Sequence, residues 1–188
     1  MLFEIPEFAQ YVWISAFDTK LENVEQVLQT VQGKFPGVCV QLVDLDRVAG
    51  SRYLFLATFN AIKSFHSKQP ISRSLGIEIL LYIAANRQIS ESLKRVGITT
   101  DTRRIAALAV GDSTDQVSVA GSFLAELLNR RSRDELVDEW PPERVDNVRS
   151  GFGIGDKELR AIIRKSEVRT KAIERLAIER SAMLAIKK

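Results

Sequence analysis

The sequence of 188 residues carries 27 Lys and Arg against 24 Asp and Glu, a formal net charge of +3, with 45% hydrophobic residues. A chain of this size and composition is too apolar to be disordered and long enough to bury one core. One cysteine, Cys39, excludes an internal disulfide framework, and one histidine, His66, excludes multi-histidine metal centres.

Residues 10–17 are aromatic and β-branched and read as a strand. Asp18 or Thr19 then caps a helix with Leu21, Val24, Val27, Leu28 and Val31 at helical spacing, stopped by Gly33 and Pro36-Gly37. Residues 38–43 form a second strand, apolar enough to be covered on both faces. From 49 to about 67 the period is helical, with Leu54, Ala57, Ala61 and Phe65 on one face, and the two alanines allow close approach of a neighbour. After Pro70, Ser72 or Ser74 caps a helix over 75–85 that is apolar nearly all round and therefore internal. Asn86-Arg87-Gln88 interrupts it, and a short helix over 89–96 ends at Gly97.

A third strand spans 103–110, and a helix over 115–130 follows Gly111-Asp112-Ser113. Residues 132–150 read as a polar helix broken by Pro141-Pro142, residues 151–155 as a glycine-rich turn, and 156–165 as a helix. Residues 167–186 form a last amphipathic helix. Its apolar stripe contains Ala172, Leu176, Met183 and Ile186, with Ile178 outside the stripe, and Glu167 with Lys171 and Arg175 with Glu179 are i,i+4 pairs. The expected class is α/β or α+β, with a small mixed or antiparallel sheet of about three to four strands flanked by helices. Residues 1–165 are expected as one domain, and 166–188 as a C-terminal helix packed on that domain or on a partner.

The net charge is unevenly spread. Residues 1–61 sum to −3, 62–104 to +5, 105–128 to −3 and 129–188 to +4. The basic middle segment, with Lys63, Lys68, Arg73, Arg87, Lys94, Arg95, Arg103 and Arg104, suits a polyanion, or else is an ordinary solvated surface. His66 lies in the same segment and can contact a phosphate or a base. Glu78 is a lone carboxylate in an apolar helix. Burying it demands an ion pair with Arg73 or Arg87, a bond to a neighbouring helix end, or use as a positioner of a ligand-touching basic group.

Other motifs are weaker. Gly111-Asp112-Ser113 resembles the nucleophile block of GDS-type esterases, but His66 is far upstream, and a helix cap explains Asp and Ser as well. Asp44 and Asp46 lack a third ligand for Mg²⁺. Residues 151–155 lack the preceding strand that a dinucleotide site needs. No metal, no cofactor and no small-molecule substrate is expected. The first residues lack the pattern of a secretion signal, and the apolar stretch 77–85 is too short to span a bilayer, so a cytoplasmic protein (also nuclear in a eukaryote) is expected.

The middle segment resembles a known family. Ser72-Arg73-Ser74-Leu75-Gly76-Ile77-Glu78-Ile79-Leu80-Leu81-Tyr82-Ile83-Ala84-Ala85-Asn86-Arg87-Gln88-Ile89, continuing to Leu93 and Val96-Gly97-Ile98, is similar to the kinase-binding subunit of the KEOPS complex, in eukaryotes the PRPK-binding protein (TPRKB) family. Gly153-Ile154, Glu158-Leu159 and Ile178-Glu179-Arg180-Ser181-Ala182-Met183-Leu184 fit its end. Asn86 stands where that family commonly has a small or hydroxyl residue, and Ser92 where alanine is usual. The resemblance implies a non-catalytic accessory subunit that binds the small atypical kinase of KEOPS and the tRNA 3′ CCA end, supporting threonylcarbamoyladenosine modification. On that basis Arg73, Arg87, Lys94, Arg95 and His66 are the candidate RNA contacts. Glu78 and Gln88 would organise the site, and Ile178, Met183 and Leu184 would meet the kinase. Two alternatives stay open: a protein-binding scaffold without RNA affinity, and a hydrolase using Ser113 with His66.

Overall fold

The computed structural model describes residues 1–163 and 167–186. Four strands, β1 (Leu2–Ile5), β2 (Gln10–Asp18), β3 (Cys39–Asp44) and β4 (Arg104–Gly111), form one antiparallel sheet in the order β1-β2-β4-β3. Helices α1 (Val24–Lys34), α2 (Ser51–His66), α3 (Leu75–Ala84), α4 (Ile89–Val96), α5 (Thr114–Leu127), α6 (Pro142–Gly151), α7 (Asp156–Ile162) and α8 (Arg169–Met183) flank it. The fold is mixed α/β, as the interspersed strand and helix patterns predict. No helix among the described residues is long and apolar enough to cross a membrane.

The sheet is covered on both faces, and strand alternation decides which residue goes where. Val12, Ile14, Ala16, Val43, Ala106, Leu108 and Val110 point into the larger core, shared with α2, α3 and α8. Phe17, Leu42, Ile105 and Ala107 point the other way, against Val31 of α1 and Leu124 of α5. Ala57 and Ala61 of α2 are fully buried, as their size suggested.

The sequence-based elements need four corrections. Residues 2–5 form an edge strand, paired Leu2 to Trp13 through Ile5 to Gln10 and joined to β2 through a turn with Ala9 at φ 50°. The α1 cap is Asn23, whose side chain accepts from the Gln26 N–H at 2.9 Å. Asp18 and Thr19 are taken by the sheet: Asp18 pairs with Arg104, and the Thr19 N–H donates to the Arg103 carbonyl. Ser74 occupies the α3 cap position, but its side chain makes no capping bond.

The fourth correction concerns residues 132–150, which form no helix before Pro142 beyond a 3-10 turn over Asp134–Asp138. Tertiary partners consume this strap. The Arg133 N–H donates to Ala16 O at 2.8 Å, and Asp134 accepts from Ser15 Oγ at 2.5 Å. Asp138 accepts from the Ser51 N–H at 2.8 Å and Oγ at 2.7 Å, capping α2 from outside. Arg144, fully buried, donates to the carbonyls of Val48, Leu136, Val137 and Glu139 at 2.6–3.1 Å. Burial pulls its guanidinium down to about 10, so it stays charged at neutral pH.

α8 packs on the home domain, mainly against α2, and buries Ala172, Ile173, Leu176 and Ala177. Its ion pairs differ from the expected i,i+4 set: Arg175 reaches Glu167 at 2.9 Å and Lys171 reaches Glu174 at 3.1 Å. Residues 164 and 165 of the expected helix 156–165 lie outside the described residues, as do 166, 187 and 188.

Candidate nucleic-acid interface

The basic middle segment folds around α3, which divides it. α3 has 10 residues, about 15 Å at 1.5 Å per residue. Lys63, His66, Lys68 and Arg73 gather where α2 ends and α3 begins, while Arg87, Lys94 and Arg95 sit beyond its other end. The structure therefore does not bring all five candidate RNA contacts together; it makes two groups.

At the first end Glu78 is fully buried and has no ion pair among the described residues. Its carboxylate accepts from the Ile71 N–H at 3.0 Å and the Ser72 N–H at 2.8 Å. Charge-assisted bonds to backbone donors satisfy it in place of Arg73 or Arg87. The carboxylate thereby fixes the loop that carries Arg73, which is exposed. Ser72 Oγ braces the same loop by donating to Ser74 O at 2.7 Å. His66, also exposed, stacks on Phe8 with ring centroids 4.4 Å apart. It borders a cleft of about 270 Å³ with Gln10, Phe65 and Leu75, and the Gln10 Oε1 there is buried without a hydrogen-bond partner.

At the second end the cations meet helix termini. The last carbonyls of α3 are taken by three side chains: Tyr82 O by Ser181 Oγ at 2.8 Å, Ile83 O by the Tyr53 hydroxyl at 2.5 Å, and Ala84 O by Arg95 Nη1 at 2.6 Å. Ala85 at φ 49° then reverses the chain. Arg87 is exposed and donates to Leu184 O at 3.3 Å, tying the α3–α4 turn to the end of α8. Arg47, which the sequence pattern does not single out, caps α4 at Lys94 O (2.8 Å) and pairs with Asp44 at 3.3 Å. Positive charge at a helix C-terminus is favourable, so these arginines serve the fold as well. Lys94 pairs with Glu91 at 2.8 Å, which raises its pKa. Arg47, Lys94 and Arg95 line a cleft of about 340 Å³ with Asn147 and Ser150.

Gln88 is the N-cap of α4, and its N–H donates to Asn86 Oδ1 at 2.9 Å. Ser92, fully buried, donates to Asn86 O at 3.3 Å and Gln88 O at 2.9 Å. The two departures from the family pattern are therefore in contact with each other. Of the three apolar candidates on α8 and at its C-cap, Leu184 is buried in the chain's own core, Ile178 is half-buried against it, and Met183 is 39% exposed. Ile89 (46%) and Leu93 (51%) on α4 are exposed apolar residues absent from the sequence-based contacts; their i,i+4 spacing was the available signal.

The remaining motifs resolve into local structure. Ser113 caps α5 by accepting from the Gln116 N–H at 3.2 Å. Asp44 accepts from the Asp46 N–H at 3.0 Å and Thr102 Oγ1 at 2.9 Å, and burial raises its pKa. Asp46 pairs with Arg104. Among the described residues no three acidic, His or Cys side chains cluster as a metal site.

Fold and site together define an α/β protein whose distinctive surfaces are the two cation-bearing ends of one buried helix and the apolar side chains exposed beside them. Residues 19–184 match the family model described as kinase binding protein CGI-121, and the chain belongs to that family. It is also 26% identical, over 137 residues, to the EKC/KEOPS complex subunit CGI121 of Yarrowia lipolytica (strain CLIB 122 / E 150), a match covering 71% of this chain and 80% of that relative. The kinase-binding family read from residues 72–98 is thus the family matched.

Proposed function

We propose that this chain is a non-catalytic, cytoplasmic subunit of a KEOPS complex that binds the small atypical kinase and the 3′ CCA end of tRNA, assisting threonylcarbamoyladenosine formation. The family name supports the kinase half, and the relative's name supports the KEOPS half. One observation carries the combination: Arg87 joins the α3–α4 turn to the end of α8. That contact sets cations beside the exposed Ile89, Leu93 and Met183, so a polyanion and an apolar partner surface can be met on adjoining elements. Arg73, Arg87, Lys94, Arg95 and His66 would contact RNA, with Glu78 and Gln88 holding the loops that carry them. Met183, flanked by Ile178 and seated by Leu184, would enter the kinase interface. Neither cofactor nor metal takes part in this reading.

A second reading, a protein-binding scaffold without RNA affinity, is favoured by the engagement of Arg47, Arg87 and Arg95 with helix carbonyls. A titration with intact and CCA-trimmed tRNA separates the two. The first reading expects trimming to weaken binding and Arg73→Glu to weaken it further, with a steep salt dependence. Equal affinity for both tRNAs overturns the CCA assignment, and no measurable affinity leaves the scaffold. In parallel, Met183→Asp should weaken kinase capture about tenfold or more if that side chain is an anchor.

A further inference from the structure

A second arginine cluster lies outside the surface considered so far. The segment Asn129-Arg130-Arg131-Ser132 follows α5 and borders a cleft of about 510 Å³ that is also lined by Trp13 of β2. Arg130, Arg131, Ser122, Glu126 and Asn129 surround it. Both arginines are exposed, and the cleft's volume is within the range of small-ligand sites.

Three observations make the cleft a built feature. First, Gly121 of α5 faces the indole: a Cβ there would lie 2.6–2.9 Å from ring atoms, so only glycine lets Trp13 sit against the helix backbone. Second, the rim is stapled. Asn129 reverses the chain at φ 49°, the Arg133 N–H bonds Ala16 O, and Asp134 bonds Ser15. Third, the guanidiniums are not needed to finish α5. Its last carbonyls accept from the backbone N–H groups of Leu128, Asn129 and Arg130. Arg133 is paired with Glu135 at 2.8 Å, whereas no acidic partner holds Arg130 or Arg131 among the described residues. Asp112 and Asp115 lie at the opposite end of α5, about 20 Å away for 14 residues. Glu126 is the one carboxylate in the lining.

We propose that this cleft holds an unpaired nucleotide of an RNA strand, with the base against Trp13 and the adjoining phosphates at Arg130 and Arg131. An aromatic side chain beside cationic and small polar ones is the chemistry by which proteins hold splayed bases. Arginine forks suit phosphate oxygens. The cleft is separate from the two ends of α3, so it serves a second stretch of the strand; the proposal rests on the RNA half of the proposed function.

The test uses the full chain carrying Trp140→Phe, which leaves Trp13 as its single indole. Titration with single-stranded hexaadenylate and with tRNA should quench Trp13 emission saturably. Arg130→Ser with Arg131→Ser, both at exposed positions, should abolish the quench and flatten the plot of log Kd against log salt by about 1.4, or about 0.7 for each single-strand phosphate no longer neutralised. RNA binding with unchanged Trp13 emission and unchanged salt slope in the double variant overturns the cleft assignment and leaves the RNA reading standing. No binding by any form of the chain, at low salt, overturns both. Quenching by the kinase subunit but not by RNA overturns the nucleotide assignment in favour of a protein contact.

Discussion

At its amino end α3 is held by a carboxylate that gathers two backbone N–H groups from the preceding loop. At its carboxyl end three side chains, from α2, α4 and α8, take the last three carbonyls. The first arrangement is local in sequence and leaves the nearby cation, Arg73, exposed. The second joins distant elements and engages its cation, Arg95, in the fold. One basic segment therefore contains cations of two kinds, and net charge alone does not separate them.

The contrast can be broken or sharpened at five positions, and the largest effect is chemical. Cys39 Sγ lies beside Gly76 in the first turn of α3, where a helix N-terminus normally activates a thiol. Burial instead pushes it up to about 12. Alkylation of the native protein at pH 8 should run more than about tenfold slower than for a free cysteine and recover on unfolding; native labelling at the free rate would show that the amino end is open. Glu78→Leu comes next. It removes the acceptor for two N–H groups and should cost about 3 kcal/mol in urea unfolding, with Glu78→Gln about half that.

At the carboxyl end Tyr53→Phe leaves the Ile83 carbonyl without its donor and should cost about 1–2 kcal/mol by the same measurement. Ala85 sits in the left-handed region, so Ala85→Gly should stabilise the protein by about 0.5–1 kcal/mol. Smallest is Arg73→Ala, which should change stability by less than about 0.5 kcal/mol while still weakening tRNA binding. A large stability loss there would mean that Arg73 belongs to the fold after all.

How much of the molecule is legible depends on whether the signal is periodic or tertiary. The pattern of residues 10–17 and the helical period of 49–67 specify β2 and α2, because the core selects on those periods. β1 escapes because Leu2 to Ile5 is a short run whose supports, its pairing with β2, the burial of Ile5 and the stacking of Phe3 on Phe55, are all tertiary. The strap before α6 reads as helix because its composition is helical; nothing local announces that Arg144 will collect a carbonyl from Val48, 96 residues away. Glu78 visibly needs a partner, yet the partner is backbone, which has no sequence signature. The Trp13 cleft needs the loop after α5 to be placed against β2, which periodicity does not give.

The contact between Asn86 and Ser92 bears on how relatives of this chain can diverge. A buried serine hydroxyl is tolerated at 92 because the turn held by Asn86 presents carbonyls to it. Alanine at 92 makes no such demand. Both acceptors are backbone carbonyls, that of residue 86 and that of Gln88 one helical turn back, which any residue there presents, so position 92 can exchange serine and alanine without a matching change at 86.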